Sequence, residues 1–185
     1  MGFEDEEDPV VADDEQPWEP EPISQEAFLG PEGLSNINRA PLDRVSGVIY
    51  KRAAHIKRVR YTPLAPSPEA APPWQGQGEA VVRWLFSEEP GTEEGILQGR
   101  CFQCLLDVAL LPGAATGQQA HAGQDSILYV LEGQGRLYHR PSASSPVVAR
   151  PLRRGDAVLI SGDEFYGVEH LDDAALLRVI VLRFG

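Results

Sequence analysis

The residues of this chain that could hold a metal or move a proton fall in two stretches. The first, Leu111 to Gly135 (LPGAATGQQAHAGQDSILYVLEGQG), carries Gln119, His121, Asp125 and Ser126. The second, Arg154 to His170 (RGDAVLISGDEFYGVEH), carries Tyr166 and His170. Imidazole, amide and carboxylate donors brought together could ligate a divalent cation. A phenol and an imidazole facing one cavity could instead do acid–base work without a metal. Cys101 and Cys104 form a CxxC within RCFQCLLDVALL, which reads as a strand. Residues three apart on a strand point to opposite faces, so the pair reads as packing thiols and not as a redox or zinc site. Gly133-Gln134-Gly135 lies between two strands, which makes it a hairpin turn and not a phosphate loop. Ser142, Ser144 and Ser145 lack a nucleophile elbow. Asp107 interrupts an apolar strand; turned inward, it would be a costly buried charge in need of a partner.

Short strands must position these groups. Strands are expected over 79–86, 99–111, 126–132, 136–139, 147–152, 157–160, 166–169 and 176–184, separated by glycine, proline or acidic turns. EEPGTEEG and EGQG read as hairpins. No segment of useful length has helical periodicity, and many short strands with such punctuation imply a sandwich or barrel. Val48–Thr62 mixes β-branched residues with Arg52, His55, Lys57, Arg58 and Arg60. It reads as a solvated edge strand, with docking of the acidic tail or of an anion as the sharper alternative. Residues 63–78 form a proline-rich connector.

Charge is unevenly placed. The formal net charge is −12, yet the first basic residue is Arg39, and residues 1–38 hold 12 of the 28 acidic side chains. The rest balances 16 acidic against 16 basic, so the body presents no basic surface for nucleic acid. The organisation expected is an acidic, disordered tail over 1–24, with Trp18 its one large apolar group; an extension over 25–78; and a barrel over 79–185. The acidic N-terminus lacks a secretory pattern, and no stretch approaches the roughly 20 apolar residues of a membrane helix, so a cytoplasmic location without membrane partners is expected.

The two stretches resemble the paired motifs of the cupins. Gly113 stands at the opening glycine, Gln119-Ala120-His121 at the His-x-His, Ser126 at the glutamate, and YVLEGQG at the strand and hairpin. In the second motif Gly155 opens, Ser161 stands for the proline, Asp163 for the glycine, Tyr166 for the histidine and His170 for the asparagine. The resemblance implies an all-β fold, an antiparallel double-stranded β-barrel of jelly-roll type, often dimeric, with a pocket between the motif strands. It implies four metal ligands in the family, of which only His121 is kept in register.

Three functional expectations follow. The leading one is a small polar or carboxylate ligand held by Gln119, His121, Ser126, Tyr166 and His170, without the usual four-ligand metal site. The second is a metal-dependent isomerase, lyase or dioxygenase, its Fe, Mn, Ni or Zn held by Gln119, His121, Asp125 and His170; Asp125 would serve only if its strand slipped or bulged by one residue. The third is a partner-binding protein acting through the acidic tail.

Overall fold

The computed structural model describes the backbone strands at 23–24, 43–45 and 48–50, together with residues 56, 58–61, 74–87, 101–173 and 175–185. Every regular element among them is a strand: β1 (Ile23–Ser24), β2 (Asp43–Val45), β3 (Val48–Tyr50), β4 (Arg58–Tyr61), β5 (Ala80–Ser87), β6 (Phe102–Leu110), β7 (Asp125–Glu132), β8 (Gln134–Arg140), β9 (Val148–Arg153), β10 (Ala157–Ile160), β11 (Phe165–His170) and β12 (Leu177–Phe184). All eight strands expected from residue 79 onward form, with ends within three residues of those expected.

A seven-stranded sheet, β1-β4-β5-β6-β12-β7-β10, packs against a three-stranded sheet, β11-β8-β9, and β2 pairs with β3 separately. The ladders are antiparallel except β1–β4, which is parallel. This is the expected all-β jelly-roll arrangement, though no continuous ladder closes the two sheets. They are joined instead through isolated bridges, Gln77↔Ala115, Ala115↔Glu169 and Gln119↔Tyr166. The solvated edge strand expected within Val48–Thr62 is corrected for β4, which pairs with Ile23–Ser24 of β1 on one side and with β5 on the other, Val59 being fully buried. The tail expected to be disordered over 1–24 lies outside the described residues up to residue 22, Trp18 included, and its last two residues, Ile23–Ser24, form β1. No helix among the described residues is long and apolar enough to cross a membrane.

Strand alternation sets the inner face of the large sheet. Reading across β6, β12 and β7, its rows are Cys104–Arg183–Ser126, then Leu106–Val181–Leu128, then Val108–Val179–Val130, then Leu110 opposite Leu177. The facing sheet contributes Tyr166–His139, Val168–Leu137 and His170–Gly135. Apolar side chains from both sheets merge into one core. One end row is polar, and that exception locates the site. Cys104 is buried in this row as expected, whereas Cys101 precedes β6 and is exposed, which corrects the packing reading for that thiol.

Candidate functional site

Between the sheets lies a cavity of about 370 Å³, within the usual size range of small-molecule sites. Its walls are apolar, formed by Val82, Leu106, Leu128, Val168, Val179, Val181 and their neighbours. Gln119, Tyr166 and Arg183 also line it. The Gln119 amide, the Tyr166 phenol and the Arg183 guanidinium make no side-chain hydrogen bond or ion pair with the described residues. Polar groups inside a fold are normally paired, so three without partners around one cavity, one from each sheet and one from the loop between β6 and β7, are chemically informative.

The loop 111–121 places Gln119 and His121 because it is stitched to both sides. Leu111 N–H donates to the Glu79 carbonyl, Gln77 and Ala115 exchange two backbone bonds, and Thr116 N–H donates to Val168. Val168 N–H returns a bond to Thr116 Oγ1 at 3.0 Å. Gln119 and Tyr166 then exchange bonds of 2.7 and 3.0 Å. Gly117 allows this close stitching: at φ +71° a Cβ would sit 2.8 Å from the Gly76 nitrogen. The segment beneath is fastened by Arg140, whose guanidinium lies 5.0 Å from the Trp74 ring and 5.0 Å from the Phe165 ring, and donates to Gln118 Oε1 at 2.7 Å.

His121 and Tyr166 stand together, their ring centroids 6.0 Å apart. His121 Nε2 is buried without a partner, as are Ser126 Oγ and Arg183 Nε. Burial first, and then the charge of Arg183, push the His121 imidazole down from 6.5 to about 4, so it is neutral at physiological pH. Its folded-state value lies below its unfolded one. The unfolded chain therefore binds the extra proton, and stability falls as pH drops from about 6.5 through 4. An NMR titration of the imidazole should give a midpoint near 4, and Arg183→Met should move it upward; a midpoint near 6.5 in the unsubstituted chain would contradict this environment.

Gln119 and Tyr166 line the cavity with Arg183, while His121, near Tyr166 and Arg183, and Ser126, paired with Arg183 across the ladder, are not among its lining residues. His170 shares inward parity with Tyr166 but lies four residues on, about 13 Å along the strand. It is 2% exposed, with Nδ1 donating to the Leu111 carbonyl at 2.8 Å, and it does not line the cavity. Asp125 stays on the outward parity, because the β7–β12 ladder is regular from Asp125 through Val130 and its bulge falls at the other end. Its Oδ1 accepts from Gly162 N–H at 3.0 Å, holding the turn before β11. The donors needed for a divalent metal are thus held apart, and a guanidinium stands beside His121. Among the described residues no group of three or more His, Cys, Asp or Glu is placed to hold an ion. The residues present do not fit the divalent metal that the resemblance implies.

Sequence reasoning missed Arg183. The signal was present in LRVIVLRF, where Val179, Val181 and Arg183 share one parity, so a cation interrupts the apolar face of a strand.

No family model matches the chain, and no curated protein matches it significantly. Solved structures do. A predicted oxalate decarboxylase of Thermotoga maritima is 20% identical, covering 72% of this chain and 96% of its own, with a TM-score of 0.53. Fe(II)-HppE, solved with the alternative substrate (S)-1-HPP, is 14% identical over 78% of this chain and 64% of its own, with a TM-score of 0.51. The Cupin_2 domain of an XRE family transcriptional regulator from Enterobacter cloacae is 18% identical over 57% and 96%, with a TM-score of 0.44.

Proposed function

On the premise that this chain has the cupin fold, we propose that it holds a small polar or carboxylate ligand in the cavity between its sheets, through Gln119, Tyr166 and Arg183 and with no metal in the site. The observation carrying this reading is that these three side chains face the cavity and have no partner of their own. Of their polar atoms Arg183 Nε is buried without a partner. Leaving such a group unpaired costs about 1–3 kcal/mol, which a ligand that accepts its hydrogen bond recovers on binding. The neutral His121 imidazole and Ser126 Oγ lie behind this lining, near Tyr166 and Arg183, and do not line the cavity themselves.

Ligands that bind only the folded chain raise its melting temperature. A panel of small carboxylates, amides and alcohols should contain compounds that raise Tm in proportion to the logarithm of concentration. Gln119→Ala with Tyr166→Phe should weaken their binding at least tenfold in calorimetry while leaving the far-ultraviolet spectrum unchanged. Binding indifferent to both substitutions, or no binding by any compound of cavity size, would remove the proposal.

A further inference from the structure

The charge and shape of the cavity narrow the ligand class. Arg183 supplies one fixed positive charge at the polar end row. Among the described residues no carboxylate pairs with it; the ionised groups that hold arginines elsewhere are Asp107, Glu79 and Glu169. An unpaired guanidinium on an apolar wall is best satisfied by a ligand carboxylate, to which it can donate two parallel hydrogen bonds.

The rest of the cavity sets the body of that ligand. Beyond Arg183 the inner rows are Leu106–Val181–Leu128 and Val108–Val179–Val130, with Val168 facing them. These rows offer no hydrogen bonds, and Tyr61, Gln77 and Thr116, which also line the cavity, are already bonded to Trp84, the Gly113 carbonyl and the Gly117 carbonyl, so a polyhydroxylated or second charged group would be stranded there. At the far end the lining includes Glu79, 3.8 Å from Arg60, and a second carboxylate reaching it would meet like charge. With about 30 Å³ per water-sized group, 370 Å³ admits roughly a dozen non-hydrogen atoms. Three of them form the carboxylate, leaving about nine for an apolar body.

We infer that the cavity takes a monocarboxylic acid with an apolar body of about six to nine carbons, its carboxylate on Arg183 and its body along the valine and leucine sleeve. This rests on the reading of the cavity as a ligand site and specifies its occupant. Arg183 supplies the fixed positive charge that orients the acid, and Gln119 and Tyr166 are placed to hydrogen-bond the same head group.

The test uses the full chain and octanoate, with octanol, octanamide, octylamine and octanedioate as comparators, by calorimetry at pH 7. Octanoate should bind one to one. Octanol, octylamine and octanedioate should each bind at least tenfold more weakly, and Arg183→Met should lose at least thirtyfold for octanoate alone. The comparators on the unsubstituted chain keep the inference testable even if Arg183→Met folds poorly. Octanol or octylamine binding as tightly as octanoate, or octanoate binding unchanged in Arg183→Met, would overturn it. If octanamide binds and depends on Gln119 and Tyr166 while octanoate does not bind, the acid inference falls and the broader ligand reading stands. If neither these nor any other compound of cavity size binds, both fall.

Discussion

Asp107→Asn should lower the unfolding free energy by about 3 kcal/mol, read from urea unfolding at pH 7. Asp107 is 3% exposed, on the face of the large sheet turned away from the cavity. Arg178 Nε donates to its Oδ1 at 2.8 Å and Arg178 Nη2 to its Oδ2 at 2.6 Å. Arg83 reaches the same carboxylate from β5, through Nε at 2.9 Å and through Nη2. Breaking a buried ion pair costs about 3–5 kcal/mol, because a charge is left uncompensated. The low end applies here, because the two arginine side chains are 32% and 35% exposed and can reach water. That is still a large share of the roughly 5–15 kcal/mol that holds a domain folded.

The same cluster fixes a sign with pH. Burial alone would raise the Asp107 carboxyl, but hydrogen bonds from Arg178 and Arg83, together with their charges, outweigh it and hold the carboxyl below the usual carboxylate range. A depressed acid stabilises the fold above its unfolded value of about 3.9, and this contribution disappears as pH falls through the folded value. Arg83→Met together with Arg178→Met leaves burial acting alone. The carboxyl then rises above its unfolded value, the folded chain holds the extra proton, and the Asp107 contribution strengthens as pH falls from 7 toward 4. The double variant should be clearly less stable at pH 7 and recover part of that deficit as pH falls across the range, so the two stability-versus-pH curves converge in acid. Parallel curves would show that Asp107 is not held by these two cations.

Asp107 also marks where sequence stopped informing structure. Alternation made its strand legible, since Cys104, Leu106, Val108 and Leu110 share a parity. It did not say which parity faced the core, because the residues between them include Leu105 and Ala109, which are also apolar. The partners were more remote still. Arg83 and Arg178 come from strands 24 and 71 residues away, and only the ladder order β5-β6-β12 brings them to one carboxylate. The cavity shows the same division. Gln119, His121, Ser126 and Tyr166 were legible because two local motifs carry them on fixed spacing. Arg183 lies outside both motifs, and it becomes a site residue because the last strand inserts between β6 and β7. Spacing also misled at Asp125 and His170. Either could have been a ligand by count, but a regular ladder turns Asp125 outward, and the Leu111 carbonyl holds His170 at the other end of the barrel.

Gly133→Ala should cost about 2–5 kcal/mol and carry ligand affinity away with it, because this glycine answers to two separate constraints. Its φ is +78°, which costs a residue bearing a Cβ about 1–2 kcal/mol. A Cβ here would also stand 2.2 Å from the Leu176 carbonyl oxygen and 3.0 Å from the Leu177 Cα. Those are backbone atoms, so relief means moving the start of β12, and forced overpacking of this kind costs about 1–3 kcal/mol more. Gly113 separates the two terms. Its φ is +72°, but a Cβ would meet nothing within 4 Å, so Gly113→Ala should lose only the conformational part, near 1 kcal/mol. Equal losses at the two positions would remove the steric argument. The functional consequence follows from the ladder. Leu176 leads into β12, where the bulge between Arg178 and Val179 already sets the register against β7. A shift there propagates toward Arg183, which is paired with Ser126 near the other end of the same strand. Because a one-residue slip turns a side chain to the opposite face, the hairpin glycine that the sequence offered as an architectural mark also keeps the Arg183 guanidinium in the cavity.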